Sequence, residues 1–280
     1  MGKATAVCLD NLRRWATNPR IFLIALLTLL MEEQMMVGGI RAFSTLVDIA
    51  VTPWVYPFLT GDWYIALMEL FGAILLFCDA PFMNQGTPYL FIRSGRVPWF
   101  MGQVLYIFAA SAIYQLFIAA GAALLLLPRL MWSEDWGKVL GTLAQTEQGL
   151  TVGIRLADTV VRDFSPAQAM PLSFLLCWMV TVLFGMVIFA VNLILSRLWG
   201  AVCAAVLALV MPFSINASGR LLQYFSPGSW MCLPLVDFRG TSPYPSLRYV
   251  LTAGWTLIGV LTALSYWRYR KQPVDALPDL

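Results

Sequence analysis

Four acidic residues lie inside or beside long apolar runs. Glu32 and Glu33 interrupt IFLIALLTLLMEEQMMVGGI (21–40), Glu69 interrupts YIALMELFGAILLFC (64–78), and Asp79 follows directly after it. On insertion scales a carboxylate at the centre of a bilayer costs about 2.5–3.5 kcal/mol, so each is a functional suspect by default. The competing reading is a structural carboxylate that is protonated or paired with arginine. Glu32 and Glu33 are consecutive, so on a helix they point about 100° apart and cannot face one partner. For Glu69, the deepest acid of its run, Arg41 or Arg220 is a conceivable partner. A second stretch concentrates charge and turn formers: RSGRVPWFMGQ, 93–103.

Other chemistry is excluded by residue type. The chain has no histidine, which removes His-based acid–base catalysis, His-assisted nucleophiles and most zinc sites. Its five cysteines show no CxxC spacing, so neither a metal site nor a disulfide framework is indicated. No Walker A, GxSxG, HExxH or SxxK pattern occurs. No nucleotide is bound through a P-loop, and the chain reads as a non-enzyme without cofactor. A net charge of +3 is too small to point to nucleic acid.

The elements that position these residues follow from composition. Hydrophobic residues make up 60% and charged residues 12%, with a mean hydropathy of +0.74. A soluble domain carries about 25% charged residues. The apolar residues come in blocks near the ~20 residues that cross a bilayer. The expectation is an all-α, polytopic membrane protein, a single transmembrane domain over 1–280. Its six spans are near 21–40, 63–80, 99–127, 171–195, 199–215 and 248–267. Short basic segments crowd the same side of these spans, LRRW at the start and WRYRK at the end. By the positive-inside rule both termini are cytoplasmic.

Before the first span, VCLDNLRRWATNP places Cys8, Leu12, Trp15 and Ala16 on one helical face, with Asp10 and Arg14 spaced to pair at i, i+4. Residues 5–17 are therefore expected to form an amphipathic helix at the cytoplasmic headgroups, ended by Asn18-Pro19. Pro53 and Pro57 break 44–62, and four prolines break 216–247. Both read as external interfacial or re-entrant pieces. The 128–170 loop contains helix-like polar stretches suited to an external cap. Gln115 and Asn192 read as interhelical hydrogen-bonding residues.

The loop between the second and third spans, 80–97, reads as structured. Asp79 is expected to cap a helix with Pro81 in its first turn. An apolar ridge, Tyr89, Leu90, Phe91 and Ile92, precedes a cationic corner of Arg93 and Arg96 around the turn at Gly95. The pattern R-S-G-R-x-x-W-x-x-G-Q, carried by Arg93, Ser94, Gly95, Arg96, Trp99, Gly102 and Gln103, resembles the membrane subunits of type 2 ATP-binding cassette (ABC-2) exporters. A surface helix followed by six spans is similar to the plan of the same family. GKVLGTLAQT (137–146) looks like permease-type proteins of Gram-positive bacteria. The chain departs from many members in having its long external connection between the third and fourth spans.

The resemblance implies a permease subunit in a bacterial cell membrane, paired with a second copy or a related permease. A separate cytoplasmic P-loop ATPase would carry ATP and Mg. Tyr89, Phe91, Ile92, Arg93, Gly95 and Arg96 would form the loop that couples to it. Two other classes remain open on the residues alone: a non-transporting accessory, sensor or immunity protein, and an integral membrane lipid enzyme.

Overall fold

The structure, a computed structural model, describes residues 2–82, 95–195, 197–217, 220–240 and 242–271. Regular structure among them is helical, with two isolated bridges, Val51 with Leu130 and Asp237 with Ser246. The long helices are α2 (Pro19–Val47), α5 (Arg96–Leu125), α9 (Pro166–Ile194), α10 (Arg197–Asn216) and α12 (Leu247–Lys271). These five are long and apolar enough to cross a membrane. Shorter helices are α1 (Lys3–Arg13), α3 (Tyr56–Leu59), α4 (Trp63–Phe77), α6 (Gly137–Gln145), α7 (Gln148–Thr151), α8 (Asp158–Asp163) and α11 (Leu221–Tyr224).

The expected second span is α4, and it is the short one. Asp62 caps its start by accepting from the Tyr64 and Ile65 amides at 2.9 and 3.2 Å, and the helix ends at Phe77. Fifteen residues reach about 22 Å, less than the ~30 Å of a bilayer core. The helix packs against α2, α9 and α10 and buries a broad face from Ile65 to Phe77, while Tyr64 and Leu75 on the other side are exposed. The first span is longer than its apolar run. It begins at Pro19, where Asn18 caps it by accepting from the Arg20 amide at 3.0 Å. It contains a π-helical turn at Glu33–Val37 and ends at Asp48, in the left-handed conformation (φ 50°) that Asp tolerates better than most residues.

The central element is α9. Ser165 and Gln168 form a capping box with Pro166 in the first turn. Most of its length is buried, including Leu176, Cys177, Val180, Phe184 and Phe189. By contrast, α2 exposes Phe22, Leu23, Leu26, Leu27 and Leu30, and α10 exposes Val202, Val206, Leu209 and Phe213. Such apolar faces at helical spacing suit lipid.

Two ends of the bundle can be told apart. The basal end gathers α1 with the starts of α2, α5 and α10 and the ends of α4, α9 and α12. Asn192 ties three of these together, donating to the Ala80 carbonyl at 2.6 Å and accepting from the Gly200 amide at 2.8 Å. The apical end carries the connections 48–62, 126–165 and 217–246. The 126–165 connection folds there into the short helices α6, α7 and α8. Trp136, Val139, Leu140, Leu143, Ile154, Leu156 and Val160 make its core, and Ile154 packs on Gly39 of α2. The broken segments are inside this end: Val55, Tyr56, Phe58 and Leu59 are buried, as are Pro227–Met231, where Gly228 meets Leu70 and Met211. Protein shields this irregular backbone, as non-helical structure at membrane depth requires.

Candidate functional site

At the basal end, α1 lies on the first turns of α5. It buries Val7, Cys8 and Asn11, so its face is received by protein and not only by headgroups. Gly102 allows the approach: a Cβ there would stand 2.8 Å from the Ala4 carbonyl oxygen and 2.6 Å from the Val7 Cβ. Asn11 donates to Gln103 at 3.4 Å, and Trp15 donates to the Tyr106 hydroxyl at 2.9 Å. Asp10 and Arg14 pair as their spacing predicts. Burial pushes the Cys8 thiol above its ordinary pKa.

The same platform holds Asp79. The chain is not helical at 80–82, so Asp79 does not cap a helix starting there, and the rest of the expected helix lies outside the described residues; Asp79 pairs with Arg20 at 2.6 Å, and Arg20 also donates to the Cys78 sulfur at 2.9 Å. Asp79 is therefore a half-exposed, ion-paired residue of the basal end. Asn11, Arg14, Asn18, Arg20, Asp79 and Tyr106 line a polar cavity of about 310 Å³ between α1, α2 and α4.

Of the expected coupling residues, Tyr89, Phe91, Ile92 and Arg93 lie outside the described residues. Gly95 and Arg96 are described. Gly95 stands at φ 88°, which favours glycine, and opens α5. Arg96 lies 5.6 Å from the centroid of the Tyr269 ring in the last turn of α12. Trp99 stacks on the same ring at 5.5 Å. Thus Gly95, Trp99, Gly102 and Gln103 each have a part in the basal end: a turn, a stack, a close approach and a hydrogen bond.

The interior places the other three acids differently. Glu33 pairs with Arg41, whose other nitrogen donates to the Leu125 carbonyl at 3.1 Å. Arg41 therefore belongs to Glu33 and not to Glu69, and Arg220 sits over the Tyr244 ring at 4.5 Å. Glu32 and Glu69 are 0% and 1% exposed. None of their four carboxyl oxygens has a hydrogen-bond partner among the described residues. Glu32 lies within electrostatic reach of Glu69. Gly121 of α5 admits the Glu32 side chain: a Cβ there would sit 2.9 Å from its Oε2. Tyr114 stands between the two acids, donating to the Glu69 backbone carbonyl at 3.1 Å and sharing a hydrogen bond with Thr28. Beside them runs a polar chain. Tyr56 donates to Gln115 at 2.9 Å, Gln115 to Thr181 at 2.9 Å, and Thr181 to the Cys177 carbonyl at 2.8 Å.

Sequence reasoning missed Gly121, Tyr114, Thr28 and Asn11. Thr28 and Glu32 are four residues apart, a spacing that puts both on one face of α2. Gly121 sits in the small-residue run AAGAA, which reads as general packing. Among the described residues no group of three or more His, Cys, Asp or Glu is placed to hold a metal ion. Comparison with protein-family models, with curated proteins and with solved structures gives no match.

Proposed function

We propose that this chain is the membrane permease subunit of an ATP-binding cassette transporter of the ABC-2 type, an exporter energised by a separate cytoplasmic P-loop ATPase. The observation that supports this reading is the basal platform. A surface helix, α1, is locked onto the start of α5 through Gly102 and Gln103. The 78–82 segment and Arg20 adjoin it, and Gly95-Arg96 begins α5 beside it. A push on the 83–95 segment would act directly on α5 and, through Trp99 and Phe100 against Tyr269, on α12. That linkage of a loop to rigid helices is what an ATPase-driven switch between two bundle states requires.

In this reading the basal end is cytoplasmic. ATP and Mg are bound by the partner, and a second permease or lipid covers the apolar faces of α2, α10 and α12. Tyr89, Phe91, Ile92, Arg93, Gly95 and Arg96 are the proposed ATPase contacts. The test is purification of the full chain from its native host in mild detergent, with mass spectrometry of what stays bound. A P-loop ATPase at near-equal copy number, lost on Arg96→Glu while the chain still inserts, is the expected outcome. A chain that emerges alone, or with partners that are not ATPases, overturns the permease reading in favour of an accessory protein or a lipid enzyme.

A further inference from the structure

We propose that Glu32 and Glu69 form an intramembrane proton-binding site, in which a carboxyl contributed by α2 and one contributed by α4 take up and release a proton inside the bundle. The inference goes beyond ATP coupling and stands or falls separately from it.

It begins from geometry. Both side chains are fully buried, and all four of their carboxyl oxygens have no hydrogen-bond partner among the described residues. Buried polar groups are overwhelmingly paired, and an unpaired one in a native fold requires a physical explanation. Two ionised carboxylates within reach of one another, away from water and without a cation, are the costliest arrangement available. A structural role would be served by a counter-ion, and α2 shows how: one residue further on, Glu33 takes Arg41.

Among the described residues, the groups around the pair supply no positive charge. The Glu69 charge reaches Tyr114 of α5, Tyr56 of α3, Cys177 of α9 and Cys232 after the Pro227–Met231 turn. All are acids that are neutral in their protonated form. Asp62 at the start of α4 and Cys203 of α10 add none, and the one arginine among the described residues of α2 beyond Arg20 is engaged by Glu33. Neutralisation must then come from a bound cation. The Glu32 carboxyl is packed against the backbone of α5 at Gly121, and a proton is the cation that needs no added volume. Binding is the reversible formation of one O–H bond: the protonated carboxyl becomes a donor and its partner remains an acceptor. The π-helical turn of α2 starts at the residue after Glu32, and such turns occur frequently at functional sites.

The experiment uses the full chain in its native membranes. Dicyclohexylcarbodiimide enters lipid and adds to protonated carboxyls, and peptide mass mapping locates the adduct. The expected result is an adduct on Glu32 or Glu69 that declines as pH rises, with none on the ion-paired Glu33. Glu69→Gln is expected to shift the pH at which the Glu32 adduct is lost. No adduct on either acid, or equal modification of Glu33, overturns the site. Protection by sodium or potassium at constant pH also overturns it, by making a metal ion the occupant. An unchanged pH midpoint in Glu69→Gln shows that the two acids do not act together and overturns the pair. Wild-type labelling needs no variant, so misfolding of Glu69→Gln leaves the proposal falsifiable.

Discussion

The basal end and the bundle interior treat charge in opposite ways. At the basal end Asp10 has Arg14 and Asp79 has Arg20, and the cations at the end of α12 lie on rings: Arg270 over Tyr266 at 5.9 Å and Lys271 over Trp267 at 3.7 Å. In the interior Glu33 keeps a partner, while Glu32 and Glu69 have none among the described residues. Water is close at the basal end, so a pair there contributes little and losing it costs little. In the interior the cost of an unpaired charge is large. The unpaired acids there are the observation behind the proposed proton site.

The largest expected effect tests how α1 is held. Gly102→Leu forces side-chain atoms into Ala4 and Val7, and overpacking of this kind typically costs about 1–3 kcal/mol. With α1 displaced, the buried Cys8 meets water. Its raised pKa keeps it a neutral, slowly reacting thiol in the wild type, so maleimide labelling of Cys8 should accelerate in the variant. The pH needed for labelling should fall as the thiol returns toward its ordinary value. Unchanged labelling would mean that α1 is not seated on Gly102.

Next comes the paired interior acid. Arg41→Ala leaves Glu33 uncompensated. Because both side chains are partly exposed, the expected loss is about 1–3 kcal/mol, below that of a fully buried pair. A double-mutant cycle with Glu33→Gln, read by thermal unfolding in detergent, should recover most of that loss. Additive effects would show that the two do not interact. Trp15→Phe removes the hydrogen bond to Tyr106 and should cost about 1 kcal/mol. Arg14→Gln breaks an exposed i, i+4 pair and should cost only about 0.3–0.5 kcal/mol.

The smallest effect makes the sharpest contrast. Glu69→Gln keeps the shape and removes a buried, unpaired acid, so thermal stability should be unchanged or higher. A large loss of stability would place Glu69 among the structural charges and erase the difference between the two regions.

Much of the fold was legible because bilayer physics acts on composition. A long apolar block must be helical to satisfy its own backbone, and that alone locates α2, α5, α9, α10 and α12. Local rules were equally readable. Asn18-Pro19 separates α1 from α2, Gly95 makes the turn before α5, and the spacing of Asp10 and Arg14 allows their pair. Gln115 and Asn192 do make interhelical hydrogen bonds, Gln115 donating to Thr181 and Asn192 accepting from Gly200.

What only the tertiary structure decided is which polar group meets which. The order of residues shows that Glu32 and Glu33 point apart. It cannot show that one direction leads to Arg41 and the other to Glu69 and Gly121, because those partners arrive on α4 and α5 from 37 to 89 residues away, or from a helix that first had to outrun its apolar block. Nor could it show that α4 stops after fifteen residues, packed among α2, α9 and α10. Sequence sets which segments leave water; packing sets which of their charges find a partner.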